Sequence, residues 1–297
     1  MKVKEALSRS ILELKKAKVE GPISSAHVLM ADVLGVRKEE VLVNSERVLS
    51  GLELKKLKNY IDQRKNHKSV WHIVGRVSFW GLDFFVSSDV LVPRPETEIL
   101  VQEALGAISN FEFRISNSNQ KSETKNQKSK ISILDVGTGS GTIAIALASE
   151  SPEIKLTAVD KSPKAIKVAQ KNAKYNKIKN IKFIESDLFS SVKGRFDIIC
   201  ANLPYIPSEE IGLLPVEVCC YEPHLALDGG SKGLEIYEKF LSGVGKYLKP
   251  EGFVFCEIGI NQGKKIKKMI KKYLPGFRCI IKRDLAEIDR VAIILKS

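Results

Sequence analysis

Apolar residues recur at helical spacing through the first seventy positions, and then the period changes. Ile11, Leu12, Leu14 and Val19 share one face; after Gly21-Pro22, Ala26, Leu29, Met30, Val33 and Leu34 share another; Leu52, Leu54, Leu57 and Ile61 form a third. This pattern predicts a small N-terminal helical bundle over residues 1–70. Val77 to Val86 alternates and predicts a β-hairpin turning near Gly81, within a linker over 71–92. Pro93-Arg94-Pro95-Glu96-Thr97-Glu98 opens a helix that runs to about Ile108, with proline and acidic residues in its first turn. Ser116 to Lys130 contains no apolar residue and cannot bury surface, so a disordered insertion is predicted over 109–130. From Ile131 strands and helices alternate. Strands are predicted over 131–136, 154–159, 180–184, 196–201, 251–258, 277–283 and 289–295, and helices over 141–150, 162–176, 233–248 and 262–274. The expected fold class is therefore α/β: a doubly wound, seven-stranded Rossmann-like sheet over residues 93–297, with ligands at the C-terminal edge of its strands.

Composition narrows this picture. The 297 residues are 43% hydrophobic, enough for a packed core, and contain no run long enough for a membrane span. The charged N-terminus, Met1-Lys2-Val3-Lys4-Glu5, lacks the apolar stretch of a signal peptide. Cys200, Cys219, Cys220, Cys256 and Cys279 show no C-x-x-C spacing and are expected to be reduced thiols in a cytoplasmic protein. The four histidines form no metal-ligand pattern, so no zinc is expected. Net charge is +13, and 37 of the 48 basic residues are lysine. The lysines are scattered, and arginine, the usual reader of bases and phosphates, is scarce. The charge therefore reads as a solvated surface, and no stable nucleic-acid partner is expected.

Two segments carry candidate chemistry. Asp135-Val136-Gly137-Thr138-Gly139-Ser140-Gly141 follows a predicted strand and opens a helix, where Gly137, Thr138, Gly139, Ser140 and Gly141 let backbone approach a nucleotide-like cofactor. Asp160, at the end of the next strand, can accept both hydroxyls of a ribose; Ser162 is the better N-cap for the helix that follows. After the third strand, Asp187 can accept from an adenine amine while Leu188 or Phe189 covers the ring. Asn202-Leu203-Pro204-Tyr205 follows the fourth strand and suits a planar NH2 on an sp2 carbon. The Asn202 oxygen and the Leu203 carbonyl each accept one N–H, which aims the weak nitrogen lone pair at an electrophile. A dinucleotide needs room where the tetrad stands, so S-adenosylmethionine is the expected cofactor, with Asn202 close to its methyl group.

With these segments in place, the chain resembles the HemK/PrmC family of protein-glutamine methyltransferases from about Trp71 to Arg290. The resemblance runs through Val92-Pro93-Arg94-Pro95-Glu96-Thr97-Glu98, Asp135 to Gly141, Val159-Asp160-Lys161-Ser162-Pro163, Ser186-Asp187, Tyr221-Glu222-Pro223, Ala226-Leu227-Asp228-Gly229-Gly230 and Glu257-Ile258-Gly259. It implies methylation of the glutamine in the GGQ loop of peptide-chain release factors, with the N-terminal bundle as the docking domain. Leu203 stands where the family tetrad has proline, and Asp284-Leu285-Ala286-Glu287 lacks the family's glycine. Methylation of a ribosomal-protein glutamine or of a nucleic-acid base amine, and a binder made inactive by Leu203, are the competing readings.

Overall fold

The computed structural model describes residues 1–118 and 131–297. The chain forms two compact units. The smaller comprises Met1–Arg76 with Leu214–Glu222, and the larger comprises Val77–Leu213 with Pro223–Ser297.

In the smaller unit, α1 (Val3–Lys16), α2 (Pro22–Leu34), α3 (Gly51–Lys65) and the short α4 (Val70–Val74) enclose Leu14, Leu29, Met30 and Ile61. Gly21 in the left-handed region and Pro22 start α2. Ser50 and Glu53 cap α3 reciprocally, the Ser50 Oγ accepting from the Glu53 N–H at 3.2 Å and Glu53 Oε2 from the Ser50 N–H at 2.8 Å. Arg64 is buried, yet its guanidinium donates to Ser25 Oγ, Lys68 O and Glu20 O and pairs with Glu217 at 2.9 Å. A buried charge needs this complete set of partners. Through Glu217 it also holds the excursion that carries α8 (Val216–Cys219).

The larger unit begins with the hairpin of β1 (Arg76–Phe79) and β2 (Leu82–Phe85), turning at Trp80-Gly81, both left-handed. Next comes α5 (Thr97–Ser118). The insertion expected over 109–130 is thus corrected for 109–118, which continue the helix. Phe111 explains the continuation: it packs edge-on against Phe253, at 5.7 Å between ring centroids, and so gives this turn apolar surface to bury. Residues 119–130 lie outside the described residues.

The sheet is built from β3 (Ser132–Val136), β4 (Lys155–Asp160), β5 (Ile181–Glu185), β6 (Phe196–Ala201), β7 (Leu248–Glu257), β8 (Phe277–Arg283) and β9 (Asp289–Lys296), in the order β5-β4-β3-β6-β7-β9-β8. Neighbours from β5 through β7 pair in parallel; β9 runs antiparallel to both of its neighbours because a short turn joins it to β8. α5, α6 (Thr142–Glu150) and α7 (Pro163–Tyr175) cover one face; α9 (Glu235–Val244) and α10 (Gly263–Tyr273) cover the other, where Tyr237, Phe240, Ile266 and Ile270 pack on Leu134, Ile199 and Val254. Alternation along the chain places every βα turn of the parallel strands at one edge. Among the described residues no helix is long and apolar enough to cross a membrane.

Asn172 on α7 joins three pieces of this unit. Fully buried, it accepts from the Phe85 N–H at 2.8 Å and donates to Phe85 O at 3.0 Å and Ser140 O at 2.9 Å. It thus pairs with β2 as another strand residue would. Asn172→Ala should lower unfolding stability by on the order of 3 kcal/mol, because buried backbone groups lose their partners. A urea titration checks this; a loss under ~0.5 kcal/mol would show that water replaces the amide.

Candidate active site

The C-terminal strand edge of the larger unit carries a cleft. Its wall contains Gly137, Thr138, Gly139, Ser140, Asp160, Asp187, Leu188, Asn202, Leu203 and Pro204, together with Arg94, Thr97 and the Pro223–Asp228 region. Two expected site residues are not part of that wall. Gly141 lies behind it: a Cβ there would stand 2.9 Å from Ile145 Cδ1 and 3.1 Å from Ala169 Cβ, so its glycine serves the packing of α6 against α7. Tyr205 is drawn away by its hydroxyl, which points to Glu257 Oε1 at 3.4 Å, and its ring packs on the core.

The glycine turn is already occupied on its donor side. Gly137 N–H and Thr138 N–H both donate to Val159 O at 2.9 Å, Gly139 N–H to Asp160 Oδ2 at 2.8 Å, and Gly141 N–H to Thr138 O at 2.8 Å. A pyrophosphate site needs such amides free. Here the carbonyls of Gly137 and Gly139 have no backbone donor among the described residues. An acceptor-rich turn suits the ammonium end of an amino acid, and this is the observation that fits S-adenosylmethionine better than a dinucleotide. Gly137 has a second duty: with φ of +74°, a Cβ on it would come 2.9 Å from Leu203 Cδ2, so only glycine admits the tetrad loop so close.

Asp160 holds the turn through Gly139 and also accepts the Ser162 N–H at 2.8 Å. Ser162 itself caps α7, accepting from Ala165 N–H at 3.2 Å. Burial raises the Asp160 carboxyl above its ordinary pKa, against the pull of these amides. Asp187 is exposed and pairs with Lys161 at 2.8 Å. Beside it Leu188 adopts φ of +50°, held by Ser186 Oγ donating to its carbonyl at 2.9 Å. Leu188 thus borders the cleft, whereas Phe189 is buried between Phe240 and Tyr247 at 5.3 and 4.6 Å. Of the two hydrophobic candidates beside Asp187, the fold assigns Phe189 to the core.

Three residues at the tetrad had no role assigned from sequence. Asn202 Nδ2 donates to Thr97 Oγ1 at 3.2 Å, and Thr97 Oγ1 donates to Glu257 Oε2 at 2.6 Å. Leu203 N–H donates to the Tyr237 hydroxyl at 3.2 Å, and that hydroxyl donates to the Glu257 carbonyl. Thr97 and Glu257 lie within segments that the sequence singles out, but 160 positions apart. Tyr237 carries no local signal beyond its place on an apolar helix face.

Comparison with known proteins adds the family. Residues 127–279 match the pattern described as methyltransferase domain, and residues 5–75 match the PrmC N-terminal domain. The release factor glutamine methyltransferase of Thermodesulfovibrio yellowstonii is 35% identical over 276 residues, covering 91% of this chain and 90% of the relative. That of Clostridium acetobutylicum is 33% identical over 302 residues, covering 100% and 99%. The chain belongs to the release factor glutamine methyltransferase family. Solved structures give fold likeness at lower identity: a methyltransferase from Pyrococcus furiosus, 19% identical with a TM-score of 0.50 over 74% of this chain and 90% of that one, and the hMettl16 catalytic domain, 14% identical with a TM-score of 0.55 over 83% and 82%.

For this family member the Leu203–Tyr237 contact is a testable adaptation. Tyr237→Phe should cost about 1–3 kcal/mol by leaving a buried N–H unpaired. In a Leu203→Pro background that N–H is gone, and the cost should shrink. Urea unfolding of the four proteins should give a coupling above ~0.5 kcal/mol; additivity would show that the hydroxyl does not serve Leu203.

The turn also predicts a pH effect on stability. Asp135 is fully buried; its Oδ2 accepts from Thr138 Oγ1 at 2.6 Å, while Oδ1 has no hydrogen-bond partner. Burial, with the Asp160 charge nearby, pushes its pKa up to about 7; the Ala144 amide favours the charge without completing a hydrogen bond. The folded state therefore keeps a proton that the unfolded state releases above the ordinary 3.8. Stability from this group is present at low pH and falls as pH rises to about 7, by up to about 1.4 kcal/mol per pH unit. Asp135→Asn should flatten that slope in urea titrations; an unchanged slope would assign it to another group.

Proposed function

We propose that this chain transfers a methyl group from S-adenosylmethionine to the side-chain amide nitrogen of the glutamine in the GGQ loop of peptide-chain release factors, in the cytoplasm. The single observation that carries this reading is the end-to-end match to release factor glutamine methyltransferases, at 91% of this chain and 90% of the relative. The cleft supports it: Asn202 lines the wall with its NH2 tied to Thr97, which leaves Oδ1 to accept a substrate N–H.

S-adenosylmethionine, when bound, supplies a methyl group on a sulfonium leaving group. The chain's residues bind and aim. Gly137 and Gly139 offer carbonyls to the ammonium end. Asp160 retains an acceptor site for ribose, since the amides of Gly139, Ser162 and Lys161 use at most three of the about four on a carboxylate. Asp187, shared with Lys161, and Leu188 receive the adenine. Asn202 Oδ1 and the Leu203 carbonyl take the two N–H bonds of the substrate amide, so that its lone pair faces the methyl carbon. The bound sulfonium would give up its methyl group, the C–S bond yielding to the new N–C bond, and the amide proton would pass to water. Pro204 stiffens the loop. The smaller helical unit, matched to the PrmC N-terminal domain, is the part we assign to docking the release factor.

Labelled S-adenosylmethionine with a release factor tests the reading. Transfer should occur and should vanish when the GGQ glutamine is replaced by alanine. Label that instead enters a ribosomal protein or a base would overturn it.

Two substitutions should split in opposite directions. Asn202→Ala should slow single-turnover transfer about 100- to 1,000-fold with cofactor affinity unchanged. Asp160→Ala should weaken cofactor binding by about 1.5–3 kcal/mol in calorimetry, because a charge-assisted ribose contact is lost. Equal cofactor affinity in Asp160→Ala and wild type would place the ribose elsewhere.

A further inference from the structure

We propose that Thr97 is a positioning residue that fixes which end of the Asn202 side-chain amide faces the cleft; this rests on the amide-methylation reading above. A carboxamide has an acceptor end and a donor end of nearly the same shape. Only one orientation serves. With Oδ1 toward the substrate, Asn202 accepts an N–H; turned over, it would press its own NH2 against the substrate NH2.

The selection follows from counting protons. A threonine hydroxyl has one to donate. Thr97 stands 2.6 Å from Glu257 Oε2 and 3.2 Å from Asn202 Nδ2. An ionised carboxylate only accepts, so it claims the Thr97 proton. Oγ1 can then only accept from Asn202, which brings Nδ2 to Thr97 and leaves Oδ1 for the substrate. Thr97 and Glu257 are 5% and 3% exposed, so water does not compete for these bonds.

The groups around Glu257 set when this selection works. Tyr205 donates to Oε1 from the loop after β6, and Tyr237 on α9 donates to the backbone carbonyl. Arg290 on β9 favours the charge, while Glu96 before α5 and burial oppose it, with burial the largest cause. The carboxyl therefore takes its proton at a pH above the ordinary 4.5. Once protonated, Glu257 can donate to Thr97, Thr97 can donate to Asn202, and the amide is free to turn over. The transfer rate at saturation should fall on acidification through that range.

Single-turnover kinetics at saturating cofactor and release factor test the proposal. Thr97→Val should slow transfer by about 10- to 100-fold, the scale of a misplaced reacting group. KM for the release factor and affinity for S-adenosylmethionine should stay within about threefold, and Thr97→Ser, which keeps the hydroxyl, should recover most of the rate and its acid limb. A Thr97→Val rate within threefold of an active wild type would overturn the proposal, as would a folded Thr97→Ser no faster than Thr97→Val. If Thr97→Val fails to fold, Thr97→Ala takes its place in both comparisons. If wild type methylates no release factor, the functional reading fails separately, and the orientation is read without substrate. The Asn202 side-chain amide resonance, assigned with Asn202→Asp, should exchange slowly in wild type and Thr97→Ser; fast exchange in wild type would overturn the proposal.

Discussion

Glu257 sits at the end of the strand beside the tetrad, and most of the tetrad's geometry is tied to it. One carboxylate oxygen takes the Thr97 hydroxyl, which in turn takes the Asn202 amide; the other takes the Tyr205 hydroxyl; the backbone carbonyl takes Tyr237, which holds the Leu203 N–H. The residue is buried, so each of these bonds is made in a medium of low polarity, where an unpaired group is costly and a paired one is strong. A loop whose side chains and backbone are tied to one buried hub is held more firmly than by its own conformational preferences. β6 and β7 supply the rigid base, paired in parallel from Ile198/Phe253 to Ala201/Cys256.

The cofactor side has the opposite logic. There the fixed point is a carboxylate that restrains backbone amides. Asp160 gathers Gly139 and Ser162, and Val159 O gathers Gly137 and Thr138. Glycine in this turn therefore has less to do with exposing N–H groups than with letting the chain fold its donors inward while its carbonyls stay outward. The polarity of the turn distinguishes a cationic ligand end from a phosphate, and no glycine spacing carries that information, because spacing is the same in both cases.

This difference marks how far the sequence could be read. The strands and helices after Ile131 were legible because each buried run has a clear period and length; β6 and β8 occupy the same residues in the structure as in the pattern. The places of Asn202, Asp160 and Gly139 at the cleft are legible because each stands at or just past a strand end. The helix through 109–118 was not, since Phe111 finds its partner, Phe253, only in the folded sheet. Gly141 reads as a ligand residue in sequence because its demand for a positive φ looks the same whether a ligand or Ala169 fills the space. Tyr205 belongs to the tetrad in sequence, and nothing local reveals that Glu257 holds its hydroxyl. Thr97 was passed over for the same reason: a hydroxyl gains its role from a carboxylate far along the chain.

Leu203 shows how such long-range partners let a local rule lapse. A proline at this position would restrain the Asn202 backbone and offer no N–H. Leucine removes the restraint and adds a donor where the chain is 4% exposed. The donor is met by Tyr237, the side chain fills the space that Gly137 leaves by having no Cβ, and Pro204 still biases Leu203 to extended conformations. Restraint that one residue would supply by its covalent ring is here supplied by packing and one hydrogen bond. The backbone of Leu203 is thereby held in place by contacts far along the chain, and the identity of the residue that secures it is secondary.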